Sequence, residues 1–482
     1  MKILTTISET ESNDTIAALA TANGRSAIAV VRISGSLTLH LLTQICRTSK
    51  GSVQSLFTNK QRQLHRVDIV DPFNDSNPHI DDGLVVFFKG PGSYTGEDSA
   101  EISLHGSPLI VRRLLMLLVE KFRIRPALAG EFTRRAFQNG RIDLTRAESI
   151  QRIIDSKSEY ELLGAQRLYS GELKKLVSRF RSSVINLKAE TEAEVDFSDE
   201  DLTFESLEKR RNRVNELLSQ IEIILKRSGA AQRVNQGFKV ALVGVTNAGK
   251  SSLLNRLLGW DRSIVSDIHG TTRDYVSEDV ELGEFRVRFV DTAGLRSTQD
   301  VIEREGIRRS VEEMKRSQLI LHIIDGSAST LTITDELKQE LADPNESRKI
   351  IHILNKIDIL NSNVKSSDYF NQLTLNQTQL NMIQISCKTG EGIDRLRQLI
   401  LNHFESEPGG LDPFLLEERH RHHFTQVSEA LNRLLQLWNE NAPDEICAVE
   451  IDEALNQIGQ ITGEVTTEEV LGRIFSVFCV GK

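Results

Sequence analysis

The spacing of apolar and polar residues along the chain changes character three times. Up to about residue 139 the apolar runs are short and strand-like. Ala27-Ile28-Ala29-Val30-Val31-Arg32-Ile33 and Gly83-Leu84-Val85-Val86-Phe87-Phe88 are two of them, and a helical spacing begins near Ser107. Mixed signals of this kind predict an α+β domain. A cluster of Pro, Asn and Asp between Asp71 and Asp82 reads as a loop.

From about 140 to 236 the period becomes helical. Leu173, Leu176, Val177, Phe180, Val184 and Leu187 recur every three or four residues, and Leu207, Val214, Leu218, Ile221 and Leu225 repeat the stripe. These spacings predict long bundle helices, with Gly229 and Gly237 bracketing a hinge after them. Between 237 and 406 strand-like runs alternate with helical ones: Phe285 to Val290, Leu319 to Ile324, Ile350 to Leu354 and Met382 to Ile385. Alternation predicts a parallel sheet covered on both faces.

Pro408-Gly409-Gly410-Leu411-Asp412-Pro413 reads as a linker, after which Phe424, Val427, Leu431, Leu434, Leu435 and Trp438 restore the helical stripe. The expected organisation is therefore an α+β domain over 1–139, an α-helical bundle domain split between 140–236 and 407–482, and an α/β unit over 237–406 inserted into it. Packing the two helical pieces together would bury both stripes.

The inserted unit carries the chemistry. Val240-Ala241-Leu242-Val243 leads into Gly244-Val245-Thr246-Asn247-Ala248-Gly249-Lys250-Ser251, and Ser252-Leu253-Leu254-Asn255-Arg256-Leu257-Leu258 follows. A buried strand, a glycine-rich turn and an amphipathic helix are the context of a phosphate loop. Its N–H groups and the helix N-terminus favour phosphates, Lys250 would reach the β and γ phosphates, and Ser251 would ligate Mg²⁺.

Downstream, in order, Gly270-Thr271-Thr272-Arg273-Asp274 supplies Thr272 as a second hydroxyl for Mg²⁺. Asp291-Thr292-Ala293-Gly294 follows a strand, where an acid holds the metal through water and a Gly N–H senses the γ-phosphate. In Asn355-Lys356-Ile357-Asp358 the carboxylate of Asp358 can accept both the ring N–H and the exocyclic amine of guanine, which adenine cannot satisfy. Ser386-Cys387-Lys388 stands where a backbone N–H would meet the guanine carbonyl, and Cys387 is read as a small buried residue. Five ordered motifs thus imply a Ras-like phosphate-loop GTPase, with Leu295 where Ras-type proteins carry the water-positioning Gln.

Composition narrows the setting. A net charge of -9 and a pI near 5.8 make the bulk surface repel nucleic acid, so any such binding needs a local patch. Arg112 to Arg152 holds ten Arg or Lys against four Asp or Glu. It is read either as a nucleic-acid footprint or as a solvated helix face with internal pairing. Cys46, Cys387, Cys447 and Cys479 form no CxxC pair, no apolar run reaches spanning length, and the N-terminus lacks a signal-peptide layout. The expected compartment is the cytoplasm. The acidic run Glu190 to Asp201 reads as a helix end and turn. His420, His422 and His423 lack partners of metal spacing.

Outside the GTPase motifs the chain resembles the MnmE (TrmE) family of tRNA-modification GTPases. The residues that carry the resemblance are Tyr94-Thr95-Gly96-Glu97-Asp98 with Leu104-His105-Gly106, Gly130-Glu131-Phe132-Thr133 with Arg135-Ala136-Phe137, Glu192 to Phe197, and Cys479-Val480-Gly481-Lys482. The resemblance implies GTP contacts from Asn247, Ala248, Gly249, Lys250, Ser251 and Ser252, from Ser266, Asp267, Ile268, His269, Gly270, Thr271 and Thr272, and from Asp291, Thr292, Ala293 and Gly294. It adds the base-side residues Asn355, Lys356, Asp358, Ser386, Cys387 and Lys388. It implies a K⁺ site of Asn247, Ser266, Ile268 and Thr271 at paired G domains, with Glu303 orienting the water. Read alone, Glu303 is a solvated helix residue.

The same resemblance implies a tetrahydrofolate derivative, 5-formyl or 5,10-methylene in type, bound by Arg32, Glu101, Arg141 and Lys482 in the N-terminal domain. Arg141 departs from the family, which more often has Lys there, and Thr246 stands where Pro is usual. Cys479 is either a functional thiol or a buried small residue. The implied partners are a second copy in a homodimer, the FAD-dependent protein MnmG (GidA), and tRNA, whose wobble uridine receives an aminomethyl or carboxymethylaminomethyl group at C5. Two other classes share parts of this pattern: a ribosome-assembly, RNA-binding GTPase, which needs an RNA-binding module after the G domain, and a stand-alone folate aminomethyltransferase.

Overall fold

A computed structural model of the chain describes residues 14–48, 52–59, 62–196, 205–245, 247–258, 277–291, 317–328, 349–359, 382–407, 412–414 and 416–481. The chain forms two compact units. One comprises Met1–Ile154, Leu168–Arg210 and Thr425–Lys482, the other Asp155–Arg167 and Arg211–Phe424.

In the first unit a sheet is built from β1 (Ile16–Leu19), β2 (Ile28–Ser34), β3 (Cys46–Arg47), β4 (His65–Val70), β5 (His79–Phe88), β6 (Ser99–His105) and β7 (Arg125–Pro126), in the order β3-β4-β5-β6-β2-β1-β7. The strands expected from Ala27 and Gly83 are β2 and the second half of β5. The loop expected to last until Asp82 ends sooner, because His79 to Asp82 already pair with β4. Period-two alternation supplies the core: Val31 and Ile33 of β2, Ile102 and Leu104 of β6, and Val85 and Phe87 of β5 are buried. Helices α1 (Thr38–Ile45), α2 (Val53–Asn59) and α3 (Pro108–Met116) add Leu41, Leu42, Phe57 and Leu114 to it. Pro108 opens α3 behind an extended Ser107, where its missing N–H costs no helix bond.

Helices α4 (Glu131–Gln138), α5 (Leu144–Asp155), α6 (Glu159–Tyr169), α7 (Glu172–Asp196) and α8 (Leu207–Asn235) follow. In α7 the expected stripe is the buried face, from Leu173 to Leu187, with Leu176 half-buried. In α8 it is rotated: Val214, Leu217, Ile221 and Ile224 are buried, whereas Leu218 and Leu225 are half-buried. Gly229 lies inside α8 and starts no hinge. The helix continues to Asn235, and the backbone first turns left-handed at Gly237, with φ +86°.

In the second unit β8 (Phe238–Val243), α9 (Lys250–Leu258), β9 (Ser277–Leu282), β10 (Phe285–Asp291), β11 (Leu319–Asp325), β12 (Lys349–Asn355), β13 (Met382–Gln384) and α10 (Ile393–Ser406) form the α/β body. The sheet order is β13-β12-β11-β8-β10-β9. Every neighbouring pair is parallel except β9 with β10, an antiparallel edge hairpin that the expected all-parallel sheet lacked. Phe238 stacks on Phe404 with ring centres 3.9 Å apart, at the middle of a core that Leu242, Leu253, Phe289 and Ile353 share.

The remaining helices are α11 (Glu418–Asn439), α12 (Asp444–Thr462) and α13 (Glu468–Ser476). Within the first unit α7 packs along α12, so the two separated helical stretches do meet. Lys188 to Asp452 (2.6 Å) and Arg181 to Glu464 (3.0 Å) flank that seam. Among the described residues no helix is long and apolar enough to cross a membrane.

Candidate nucleotide and pterin sites

The ends of β8, β10, β11 and β12 point the same way, and β8 is the strand from which the chain leaves to both sides. That edge is the ordinary ligand crevice of an open parallel sheet. The loop after β8 turns at glycines that the packing requires. At Gly244, φ is +155° and a β-carbon would stand 2.3 Å from the Ile323 carbonyl oxygen. At Gly249, φ is +101° and a β-carbon would stand 2.1 Å from Asn355 Nδ2. Asn247 between them is exposed and left-handed, with φ +66°. Lys250 opens α9 and is buried, its Nζ donating to the carbonyls of Gly244 (2.6 Å) and Val245 (2.8 Å). Ser251 and Ser252, in the first turn of α9, are exposed, and Ala248 is buried.

Asn355 joins three parts of this edge. Its Nδ2 donates to the Ala248 carbonyl (2.8 Å) and its Oδ1 accepts from the Cys387 N–H (3.1 Å), so one buried amide ties the phosphate loop to the loop after β13. Ser386 Oγ donates to Asp358 Oδ1 (2.7 Å) and also accepts from the Thr389 N–H (3.1 Å). Lys356 is left-handed, φ +65°, and its Nζ lies 2.6 Å from Asp325 Oδ2. Burial pushes the Asp325 carboxyl up, but hydrogen bonds from Lys356 and Ser327 outweigh it and hold the group below the usual carboxylate range. The Cys387 thiol is half-buried, and burial pushes it up to about 11, which keeps it protonated and unreactive at neutral pH.

Asp291 ends β10 opposite Leu242 of β8, and Lys388 lies in the turn after β13. Thr246, Ser266, Asp267, Ile268, His269, Gly270, Thr271, Thr272, Thr292, Ala293, Gly294, Glu303 and Lys482 lie outside the described residues. The geometry therefore brings together the base-side residues and the phosphate loop. Asp325 and Ser327 belong to no motif read from the sequence. Their only signal was an acid at the end of an apolar strand.

In the first unit Arg32 and Glu101 face each other across β2 and β6 in register. Arg32 Nε (3.0 Å) and Nη2 (2.7 Å) both donate to Glu101 Oε1, and Nη1 donates to the Gly481 carbonyl (3.2 Å). The guanidinium lies over the rings of Phe132 (5.6 Å) and Tyr94 (5.9 Å). Tyr94 OH meets Thr133 Oγ1 at 3.0 Å, and burial raises its phenol. Arg141 is exposed beyond α4, with its stem alongside Gly96.

Behind this pair stands a network in which Glu97, Glu131 and Arg135 of the quoted motifs meet Asp14 and Arg125, which no motif in the sequence announces. Arg135 binds Asp14 (2.6 Å), Glu97 (3.1 Å) and Glu131 (3.0 Å), and Arg125 binds Asp14 (2.6 Å) and Glu131 (2.5 Å). These partners anchor the 93–98 loop and the start of α4, and hence Tyr94 and Phe132. They also remove Arg125 and Arg135 from the basic segment read as a nucleic-acid footprint. Arg134 is held by Glu468, and Arg113 by the carbonyls of Asn77 and His79.

Cys479 is exposed, so the reading as a buried small residue is wrong. Its carbonyl accepts from Gly130 N–H (3.3 Å), and Val480 bridges to Ala129. His420 is buried and takes the Glu417 N–H on Nδ1 (3.2 Å), a structural role.

A parallel sheet with a glycine loop feeding a helix, and an Asn-Lys-x-Asp turn linked to that loop, defines the second unit as a phosphate-loop GTPase. The rest of the chain makes the assignment specific. Residues 144–479 match the MnmE helical domain and residues 15–141 the GTP-binding protein TrmE N-terminus. The chain is 43% identical to the tRNA modification GTPase MnmE of Leptospira biflexa serovar Patoc over 97% of its own length and 100% of that protein. To the protein of the same name from Aquifex aeolicus it is 35% identical, over 97% and 99%. The chain belongs to the MnmE family of tRNA modification GTPases.

It is a GTP hydrolase acting in tRNA modification, and GTP hydrolysis of this kind uses Mg²⁺. A solved structure of Aquifex aeolicus Era bound to GDP.AlF4- is 28% identical, covering 40% of this chain and 66% of that one. Its TM-score of 0.28 is too low to carry anything further. The family match runs through the C-terminal helices, where the ribosome-assembly reading required a different module.

Proposed function

We propose that this GTPase works as a K⁺-stimulated homodimer that, with the FAD-dependent protein MnmG (GidA), modifies C5 of the wobble uridine of certain tRNAs in the cytoplasm using a one-carbon tetrahydrofolate. The observation that carries the nucleotide half is Asn355, whose single buried amide fixes the phosphate loop and the Ser386-Cys387 loop to one strand end. Asp358, held by Ser386, accepts from the guanine edge, and Lys388 completes that side.

Lys250 and the loop N–H groups of Asn247 to Ser252 hold the phosphates. Ser251, at the exposed first turn of α9, with Thr272 fits Mg²⁺, an oxygen-preferring ion. Asn247, Ser266, Ile268 and Thr271 hold K⁺, which supplies the positive charge that an arginine finger brings elsewhere. Glu303 orients the attacking water, and Ser266 to Thr272 with Asp291 to Gly294 contact the nucleotide. Hydrolysis drives opening and closing of the paired G domains rather than chemistry on the base.

The N-terminal domain, 1–139, holds the folate and forms the dimer. The helical domain, 140–236 with 407–482, carries the G domain, 237–406. Arg32, Glu101, Arg141 and Lys482 hold the cofactor. The aromatic walls of Tyr94 and Phe132 and the acid Glu101 suit a flat ring bearing amino and N–H groups, so the residues present fit a pterin. The folate supplies the one-carbon unit. Cys479, exposed on the terminal segment, is the candidate functional thiol.

The test is a nucleoside profile of tRNA from cells lacking this chain, complemented by wild type or Glu303→Ala. Wild type should restore the modified wobble uridine and Glu303→Ala should not, while keeping GTP binding. Purified wild type should hydrolyse GTP much faster in K⁺ than in Na⁺. An unchanged wobble uridine in the deletion strain would end the proposal, and equal rates in the two salts would end its cation part.

A further inference from the structure

β11 and β12 end side by side, with Asp325 opposite Asn355 in the ladder. The next residue along, Lys356, has φ +65° without being glycine, a conformation that costs an ordinary residue about 1–2 kcal/mol. Such a turn persists only where its surroundings hold it. Three contacts do so here. The Gly326 N–H donates to the Asn355 carbonyl (2.9 Å), the Ile357 N–H reaches the Ile385 carbonyl (3.3 Å), and Lys356 Nζ is paired with Asp325 Oδ2 (2.6 Å).

Only the last contact is made by side chains, and its acid is itself oriented. Asp325 Oδ1 accepts from both the N–H (2.9 Å) and the hydroxyl (2.6 Å) of Ser327, which leaves Oδ2 for the ammonium. The left-handed turn sets the direction in which Asp358 leaves β12, and Asp358 meets Ser386 from there.

We propose that Asp325 is a positioning residue for guanine recognition: by pairing with Lys356 it holds the left-handed turn that aims Asp358 at the base. The proposal rests on the reading of Asn355 to Asp358 as the base site. Asp325 touches no nucleotide. Its removal loosens the aim of Asp358 and leaves the phosphate loop, fixed through Asn355, in place.

The experiment measures dissociation constants of the full chain for GTP, ITP and ATP, together with turnover at saturating GTP. ITP lacks the exocyclic amine that Asp358 is read to accept. Asp325→Asn should weaken GTP about 10-fold and ITP less, so that the preference for GTP over ITP falls, with kcat unchanged. The same substitution in a Lys356→Ala background should add nothing, because the partner is gone.

A purely structural role would lower the melting temperature without changing that preference. If Asp325→Asn does not fold, Asp325→Glu, which moves the carboxylate by one methylene, runs the same cycle. Unchanged GTP affinity and preference in a folded variant, or an undiminished effect in the Lys356→Ala background, would overturn the proposal alone. A wild type that does not prefer GTP to ATP would overturn the base-site reading, and the proposal with it.

Discussion

The two sheets hold their chemistry in different places. In the N-terminal sheet Arg32 and Glu101 stand mid-strand, opposite each other across β2 and β6. In the GTPase sheet Asn355 closes β12, Lys250 opens the helix after the β8 loop, and Asp358 and Ser386 follow the ends of β12 and β13. A mid-strand pair takes its geometry from the ladder and cannot shift without breaking backbone hydrogen bonds. A strand-end site takes its geometry from turns, which need their own fastenings. Asn355 and Lys356 are those fastenings here. The Arg32–Glu101 platform is thus rigid by default and the nucleotide site rigid by specific contacts, so single substitutions should disturb the second far more than the first.

The sharpest break of that comparison is Asp358→Asn. The amide keeps the shape but loses the two-acceptor edge. GTP affinity should fall about 10²- to 10⁴-fold, at ~1.5–3 kcal/mol for each of two charge-assisted hydrogen bonds. Asn offers one donor and one acceptor, which suits the 2-oxo group and ring N–H of xanthine, so XTP binding should rise. Competition titrations of GTP against XTP measure both. A variant that still preferred GTP would remove Asp358 from the strand-end site.

Glu101→Gln tests the mid-strand side, with a smaller effect. Reduced-folate affinity should drop by about 10-fold, the loss of one charge-assisted acceptor. Stability should hold within about 1 kcal/mol, because the Arg32–Glu101 pair is a quarter to a third exposed. A folate titration and a thermal melt give both readings. Unchanged folate affinity would dissociate the pair from the cofactor.

The same contrast explains which features are legible in the sequence alone. Turn chemistry is local, so Gly244, Gly249 and the Asn-Lys-x-Asp run announce themselves, and the α7 stripe gives its buried face directly. Ladder register is not local. Nothing in the sequence places Arg32 opposite Glu101 rather than a neighbour, nor Asp14 and Glu97 around Arg135, and only the resemblance singles out the first pair. The edge strand β9, Ser277-Glu278-Asp279-Val280-Glu281-Leu282, has too few apolar positions to register as a strand, although Gly283 at φ +62° marks its hairpin turn. In α8 adjacent apolar residues, Leu217 with Leu218 and Ile224 with Leu225, allow two phases of one stripe, and burial chose the other. Asp325 stays hidden because its partner comes from the neighbouring strand.

The GTPase sheet also contains a buried mid-strand polar pair, and it sharpens the comparison at the smallest scale. His322 and His352 face each other in register between β11 and β12, both buried, with Nδ1 to Nδ1 at 3.0 Å. One imidazole must donate and the other accept, so the bond exists only while the acceptor is neutral. Burial pushes His322 down to about 3, with the neighbouring His352 adding to the shift, and burial pushes His352 down to about 4.

Both folded values lie below the unfolded value near 6.5. Below that pH the unfolded chain binds protons that the fold refuses. Stability is therefore full above about pH 6.5 and falls as the pH drops towards 4. At pH 5 the loss should be roughly 2 kcal/mol per imidazole. Denaturant midpoints of wild type and of His322→Phe/His352→Phe at pH 7.5 and 5 check this. The double variant should lose much less stability over that interval, while GTP affinity of the folded protein stays the same. A wild-type decline that persists undiminished in the variant would place its origin in other groups. A change in GTP affinity would mean that this mid-strand pair reaches the strand-end site after all.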